Sequence, residues 1–190
     1  KNGKYVQTKP DDYGPDMFTD FVIDFATRHK DQPFFIYYPM ALTHGPFVPT
    51  PDSKDWQDAT LRMREDTKYF GDMVRHMDEI IGRLVRQLDE LGLRDNTLIL
   101  FTGDNGTAKG SIIRAEKSEN RWRYIREPVH SEINGKRVPG GKGNLTNDGT
   151  NVPLICSWVG TVEAGGTVDD LVDFSDFYAT FAALAKSPPA

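Results

Sequence analysis

Cysteine is nearly absent from this chain. Cys156 is the only one in 190 residues, so no internal disulfide can form. No apolar run approaches the roughly 20 residues of a membrane-spanning helix, and no membrane span is expected. There is no block of basic residues, and the formal net charge is −5, which weighs against a nucleic-acid partner. Neither a glycine-rich dinucleotide loop nor a GxxxxGK(S/T) phosphate loop occurs, and no internal repeat is found. There is no initiating Met and nothing resembling a signal peptide at the start, so the sequence is expected to begin inside a longer or processed chain. What is present, 38% apolar and 27% charged residues, suits one folded domain with a sizeable core.

The stretch that organises the chain is Thr97–Gly106, TLILFTGDNG. Leu98–Phe101 is a short continuous apolar run, as in a strand of a parallel sheet covered on both faces. Gly103 and Gly106 then turn the chain, while Asp104 offers a carboxylate and Asn105 an amide oxygen. Oxygen ligands just beyond the carboxyl end of a strand suit a hard cation, calcium or magnesium. Asp, Asn and Gly are equally the ordinary residues of a plain turn.

The flanking segments supply a frame. Lys1–Pro15 reads as loop and contains Asp11-Asp12. A helix follows, with Asp16 as its expected N-cap and Phe18, Phe21, Val22 and Phe25 at helical spacing; Arg28, His29 and Lys30 close it. Pro33–Pro39, PFFIYYP, reads as a strand, and the proline-rich MALTHGPFVPTP after it carries His44 just past the strand end. From about Asp66 to Leu91 apolar residues recur in steps of three and four, predicting a long amphipathic helix ended by Gly92. His76 on that helix reads as structural or exposed. Strand, helix and central strand together predict a right-handed βαβ unit.

Thr107–Asn151 is weakly patterned and charged, with Trp122 and Tyr124 as its main large aromatics, and it delivers Lys142 between Gly141 and Gly143. A stretch of this kind is either functional or disordered. Trp122, Arg123, Tyr124 and His130 are candidates for substrate contact there. Asp148 and Asn151 are expected to brace the turn after Lys142. Val152–Val159 reads as a second buried strand with Cys156 in the core, and a helix is expected from about Ser175 to Leu184, before a terminal loop over 186–190. Asn144-Leu-Thr146 and Asn105-Gly-Thr107 match the glycosylation pattern by chance.

His44, Asp104 with Asn105, and Lys142 thus stand near the ends of expected strands. Such a group suits an oxyanion held beside a metal, with Lys and His adding hydrogen bonds to a sulfuryl or phosphoryl oxygen. The segments around these residues carry a family resemblance. DQPFFIYYPMALTHGPFVP (31–49), YFGDMVRHMDEIIGRLVRQLDELGLRDNTLILFTGDNG (69–106), GGKGNLTNDGTNVPLI (140–155) and LVDFSDFYATFAALA (171–185) resemble, in order, the middle of a type I sulfatase. The resemblance implies an alkaline-phosphatase-like α/β fold, a mostly parallel sheet flanked by helices and incomplete in this stretch. Residues 1–190 would be the central to C-terminal part of the catalytic domain, and 107–139 a variable region facing the substrate. It further implies that Asp104 and Asn105 are ligands of an active-site Ca2+ (or Mg2+), that His44 contacts the bound sulfate, and that Lys142 does so too and protonates the leaving oxygen. The implied substrate is a small-molecule or glycan sulfate ester. The implied compartment is periplasmic, secreted or lysosomal, and the oligomeric state is left open.

The sequence also departs from that family's pattern. The Cys/Ser-x-Pro-Ser-Arg motif that yields the formylglycine nucleophile does not occur, nor do the N-terminal Asp-Asp metal pair and the other Lys and His. Asp11-Asp12 precedes the first helix and is out of place for that pair. The expected reading is an internal fragment of a sulfatase, inactive alone. A phosphodiesterase or phosphonate hydrolase on the same scaffold, and a non-catalytic binding remnant, stand as the alternatives.

Overall fold

The computed structural model describes residues 2–187. Residues 1 and 188–190, the outermost parts of the expected terminal loops, lie outside the described residues.

Gly14–Arg28 forms helix α1. Its N-cap is Tyr13, and Asp16 lies inside the first turn rather than capping it. Pro15 accounts for the earlier start, because its fixed φ suits the first turn and its missing N–H is no loss there. Phe70–Glu90 forms α2, led in by a single 3-10 turn at Thr67–Tyr69 whose cap, Asp66, accepts the Lys68 N–H. Gly92, at φ 68°, ends it in the left-handed region that a side chain would resist.

The core gathers on one face of α2. Tyr69, Met73 and Ile80 are buried against Leu42 and Phe47 of the proline-rich loop and against Val129, with Tyr13, Tyr38, Met40 and Ala108 packed around them. Each fully buried large apolar side chain contributes about 1.5–3 kcal/mol. This cluster sets the functional geometry: Leu42 and Phe47 pin the loop that carries His44, and Ala108 and Val129 pin the chain after the Asp104 turn. Polar bonds finish the contact between the helices. Arg83 of α2 pairs with Asp16 at 3.0 Å and with Asp20 of α1, and the Tyr38 hydroxyl meets Thr19 Oγ1 at 3.0 Å.

The strands do not follow the expected plan. Ile99–Thr102 (β1) pairs with Leu154–Ser157 (β6), Phe101 lying opposite Ile155. Gly110–Ser118 (β2) pairs with Arg121–Pro128 (β3), and His130–Ile133 (β4) with Lys136–Pro139 (β5). All three sheets among the described residues are two-stranded and antiparallel, so the mostly parallel sheet is overturned. Residues 33–39, the first strand of the expected βαβ unit, lie in no ladder. Their side chains do alternate: Phe34, Ile36 and Tyr38 are half-buried, whereas Phe35 and Tyr37 are exposed. Apolar alternation reports which face a residue takes; it carries no information about the partner strand or its direction.

Two further expectations change. Residues 107–139 are mostly two hairpins, β2–β3 and β4–β5, rather than irregular chain. Cys156 is exposed, not in the core, because β6 has β1 as its ladder partner and its outer side is uncovered among the described residues; Ile155 beside it is 56% exposed. Between α2 and this sheet runs an open apolar cavity of about 710 Å3, lined in part by Met77, Ile81, Val85, Phe101 and Ile155. Asn147–Thr150 is a single helical turn, α3. The last helix, α4 (Phe174–Leu184), starts one residue before expectation, and Asp173 caps it through a capping box with Asp176. No helix among the described residues is long and apolar enough to cross a membrane.

Candidate active site

Two of the expected residues meet. Lys142 Nζ lies 3.4 Å from His44 Nε2, and both side chains are exposed. The Nδ1 of His44 is 2.8 Å from the Gly45 carbonyl oxygen, which can only accept, so Nδ1 carries the proton. Nε2 then keeps its lone pair and accepts from the Lys142 ammonium. The pair therefore presents a cation and a polar ring side by side to solvent.

Local backbone contacts explain why Lys142 stands there. The Lys142 N–H donates to the Thr107 carbonyl at 2.9 Å, two residues past Asn105, and the Gly106 N–H donates to the Gly149 carbonyl at 2.9 Å. The Asp104 turn and the Lys142 segment are thus stitched together through their backbones. Such closeness requires glycine. A Cβ on Gly106 would lie 2.0 Å from the Asp148 carbonyl oxygen, and one on Gly141 would lie 2.3 Å from the Asp148 carboxyl. Asp148 in turn accepts from Asn144 Nδ2 at 2.9 Å and from the Thr146 hydroxyl. These donors, Thr146 foremost, hold its carboxyl below the usual carboxylate range. Asp148 braces the turn as its position in the sequence implied. Asn151 is the C-cap of α3, the short turn that contains Asp148.

Asp104 is exposed, and among the described residues its carboxylate has no hydrogen-bond or ion-pair partner. Asn105 donates through Nδ2 to the Gly106 carbonyl at 3.0 Å, which leaves its amide oxygen available. Both offer oxygen, the donor type a hard cation takes. They fit such an ion as two of its ligands. Asp11-Asp12 does not compete: Asp11 pairs with Arg62 at 2.7 Å, and Asp12 accepts from the Lys9 N–H at 2.7 Å.

A second polar cluster escaped the sequence reading as a cluster. Asp52, His76 and Glu79 place one ligand atom each within 4.8 Å of one another, close enough to hold a metal ion. His76 is buried, as a structural histidine would be. Its Nδ1 lies 2.5 Å from Asp52 and its Nε2 3.2 Å from Asp16, and Tyr13 packs edge-on against the ring. Burial, then the charges of Asp16 and Asp52, push the Tyr13 hydroxyl up to about 12. The only signal in the sequence was a histidine on the apolar side of α2; its carboxylate partners are distant along the chain.

Comparison with known proteins identifies the family. A family model described as Sulfatase matches residues 2–187. N-acetylgalactosamine-6-O-sulfatase of Bacteroides thetaiotaomicron is 31% identical over 186 residues, which cover 98% of this chain and 33% of that protein. Human N-acetylgalactosamine-6-sulfatase is 31% identical over 174 residues, covering 91% and 29% respectively. A solved structure of Ps i-CgsB in complex with k-i-k-neocarrahexaose superposes with a TM-score of 0.69 at 28% identity, over 100% of this chain and 37% of that one. The chain thus spans about a third of the length of the proteins it matches. With the family model covering nearly every residue, the chain belongs to the sulfatase family.

Proposed function

We propose that this chain forms the anion-binding part of an enzyme that hydrolyses sulfuric esters and releases inorganic sulfate. The contact between Lys142 Nζ and His44 Nε2 carries the reading. A bound sulfate group would take hydrogen bonds from the ammonium and, with Nε2 protonated as well as Nδ1, from His44. Lys142 also carries protons of its own, and it would protonate the ester oxygen as the bond to sulfur breaks. Asp104 and Asn105 would hold a calcium ion, with magnesium as the alternative, and the ion would draw negative charge off the sulfuryl oxygens. The nucleophile of this reading is a formylglycine, which none of these 190 residues provides. The 190-residue chain by itself is accordingly expected to release no sulfate.

The names of the relatives point to the substrate class. Two act on N-acetylgalactosamine 6-sulfates by name, and the solved structure holds a neocarrahexaose. A glycan sulfate ester is therefore the preferred substrate over a small aryl sulfate. The test is sulfate release by the whole protein from an aryl sulfate and from sulfated oligosaccharides, set against release of the alcohol from a phosphate diester. Turnover of sulfate esters that is lost in Lys142→Ala and Asp104→Ala supports the reading. Turnover of the phosphate diester alone would replace it with the phosphodiesterase alternative.

A further inference from the structure

The β2–β3 hairpin has two unlike faces. Directly opposed residues share a face, as do residues two apart along a strand. The pairs Lys117–Trp122, Ala115–Tyr124 and Ile112–Arg126 therefore form one face, and Glu116–Arg123, Arg114–Ile125 and Ser111–Glu127 the other. A bulge between Ile112 and Arg114 sends Arg114 to the second face, where it pairs with Glu116 at 2.7 Å. That second face carries carboxylates as well as cations and is tied to the body of the protein. Ser111 Oγ donates to Glu65 at 2.5 Å, and Thr67 Oγ1 donates to Glu127 at 3.1 Å.

The first face carries no carboxylate. Trp122 and Tyr124 are 56% and 54% exposed, and Lys117 and Arg126 are exposed as well. Lys117 Nζ stands 5.8 Å from the Trp122 ring centroid, and neither Lys117 nor Arg126 has a carboxylate partner among the described residues. Along the face Lys117 lies beside Trp122 at one level, Tyr124 follows at the next, and Arg126 after it. Residues 107–139 hold eight Lys or Arg against four Glu, a local excess of positive charge on a chain whose net charge is −5. Strand β2 has nine residues, about 30 Å of extended chain, far longer than one ester group. The base of the hairpin is joined to the candidate site: the Val129 N–H donates to Lys109, the Gly140 N–H to Val129, and the Lys142 N–H to Thr107.

We propose that this face is a binding surface for a sulfated polysaccharide, outside the site that hydrolyses it. Trp122 and Tyr124 stack on sugar rings, and Lys117 and Arg126 take sulfate groups that flank the reacting one. Exposed rings bind the apolar faces of sugars, and the Arg fork matches two oxygens of a sulfate. Cations without rings would suit any polyanion; rings beside cations select an anionic chain that also has flat apolar faces. The inference rests on the sulfatase reading only for the choice of sulfate as the anion.

The test uses the whole protein with dextran sulfate as probe, unsulfated dextran as the neutral control, and polyglutamate and duplex DNA as other polyanions. Binding is measured by titration at several salt concentrations for wild type, Trp122→Ala and Lys117→Ala/Arg126→Ala, with circular dichroism as a check on folding. All four positions are exposed, so the variants are expected to fold. Dextran sulfate should bind and dextran should not. The double variant should bind at least tenfold more weakly with a shallower salt dependence, because fewer counterions are exchanged. Trp122→Ala should lose about tenfold, the scale of one ring stack, with the salt dependence kept. Unchanged binding in both variants overturns the proposal, as does equal binding of polyglutamate or DNA with no loss in Trp122→Ala. Hydrolysis of a small aryl sulfate, measured in the same variants, should be unchanged. If that hydrolysis is absent even in wild type while the hairpin still binds dextran sulfate, the sulfatase reading fails and this one stands.

Discussion

Lys142 Nζ and His44 Nε2 lie 3.4 Å apart although 98 positions separate them in the chain. The His44 loop is held by Leu42 and Phe47 in the core, and Lys142 is held by its backbone bond to Thr107. In the whole protein, Lys142→Ala should lower kcat for a sulfate ester by about 10²–10³, the scale of one lost anion-stabilising donor, and His44→Ala should do so by a comparable factor. Steady-state kinetics with an aryl sulfate checks both. Full activity in either variant would remove that residue from the site.

Asp104 and Asn105 should bind calcium through oxygen. Adding Ca2+ to the whole protein should raise its Tm, and at a hundred times Kd the gain is about 2.7 kcal/mol. Chelation should reverse the gain, and Asp104→Ala should abolish most of it. A calcium-dependent shift that survives Asp104→Ala would place the ion elsewhere.

Gly106→Ala should destabilise the fold by about 1–3 kcal/mol, the range for overpacking a tight contact. The added methyl would lie 2.0 Å from the Asp148 carbonyl oxygen, which is backbone and cannot swing away. Thermal denaturation of the whole protein reads this directly, and an unchanged Tm would contradict the close approach.

His76→Leu should cost about 1–3 kcal/mol, because Asp16 and Asp52 lose a partner that is itself buried. Urea unfolding with an unchanged m-value is the measurement. A metal-independent loss of this size marks a structural pin; a variant that loses stability only when metal is present would mark a working metal cluster at Asp52, His76 and Glu79.

Asp148 links the Lys142 turn to pH. Its folded carboxyl is held below the ordinary value of 3.8, first by the Thr146 hydroxyl and then by Asn144. A group lowered on folding contributes stability that is fully present above its unfolded value and is lost as pH falls through its folded one. Stability should therefore decline below about pH 4 in wild type and show a weaker acid dependence in Asp148→Asn. Acid titration followed by circular dichroism distinguishes the two. Identical acid curves would show that Asp148 gains nothing on folding.

Much of this was legible in the sequence for a local reason. The apolar steps from Tyr69 to Leu88 foretold α2, and the apolar pattern through Phe177, Phe181 and Leu184 foretold α4 to within one residue of its start, because helices make their bonds four residues apart. The turn at Gly103–Gly106 and the motif around Lys142 were readable because glycine and carboxylate patterns are local as well, and they sufficed to bring out the family. Tertiary structure alone decided the rest. Phe34–Tyr38 has the alternation of a strand yet lies in no ladder, and β1 takes an antiparallel neighbour 50 or more residues away. Cys156 has an apolar neighbourhood in sequence and solvent beside it in space. The His44–Lys142 contact, the cluster around His76 and the carboxylate-free face of Trp122, Tyr124, Lys117 and Arg126 all depend on pairings between distant segments. Side-chain periodicity states which face a residue takes, whereas partner, register and direction are properties of two segments at once.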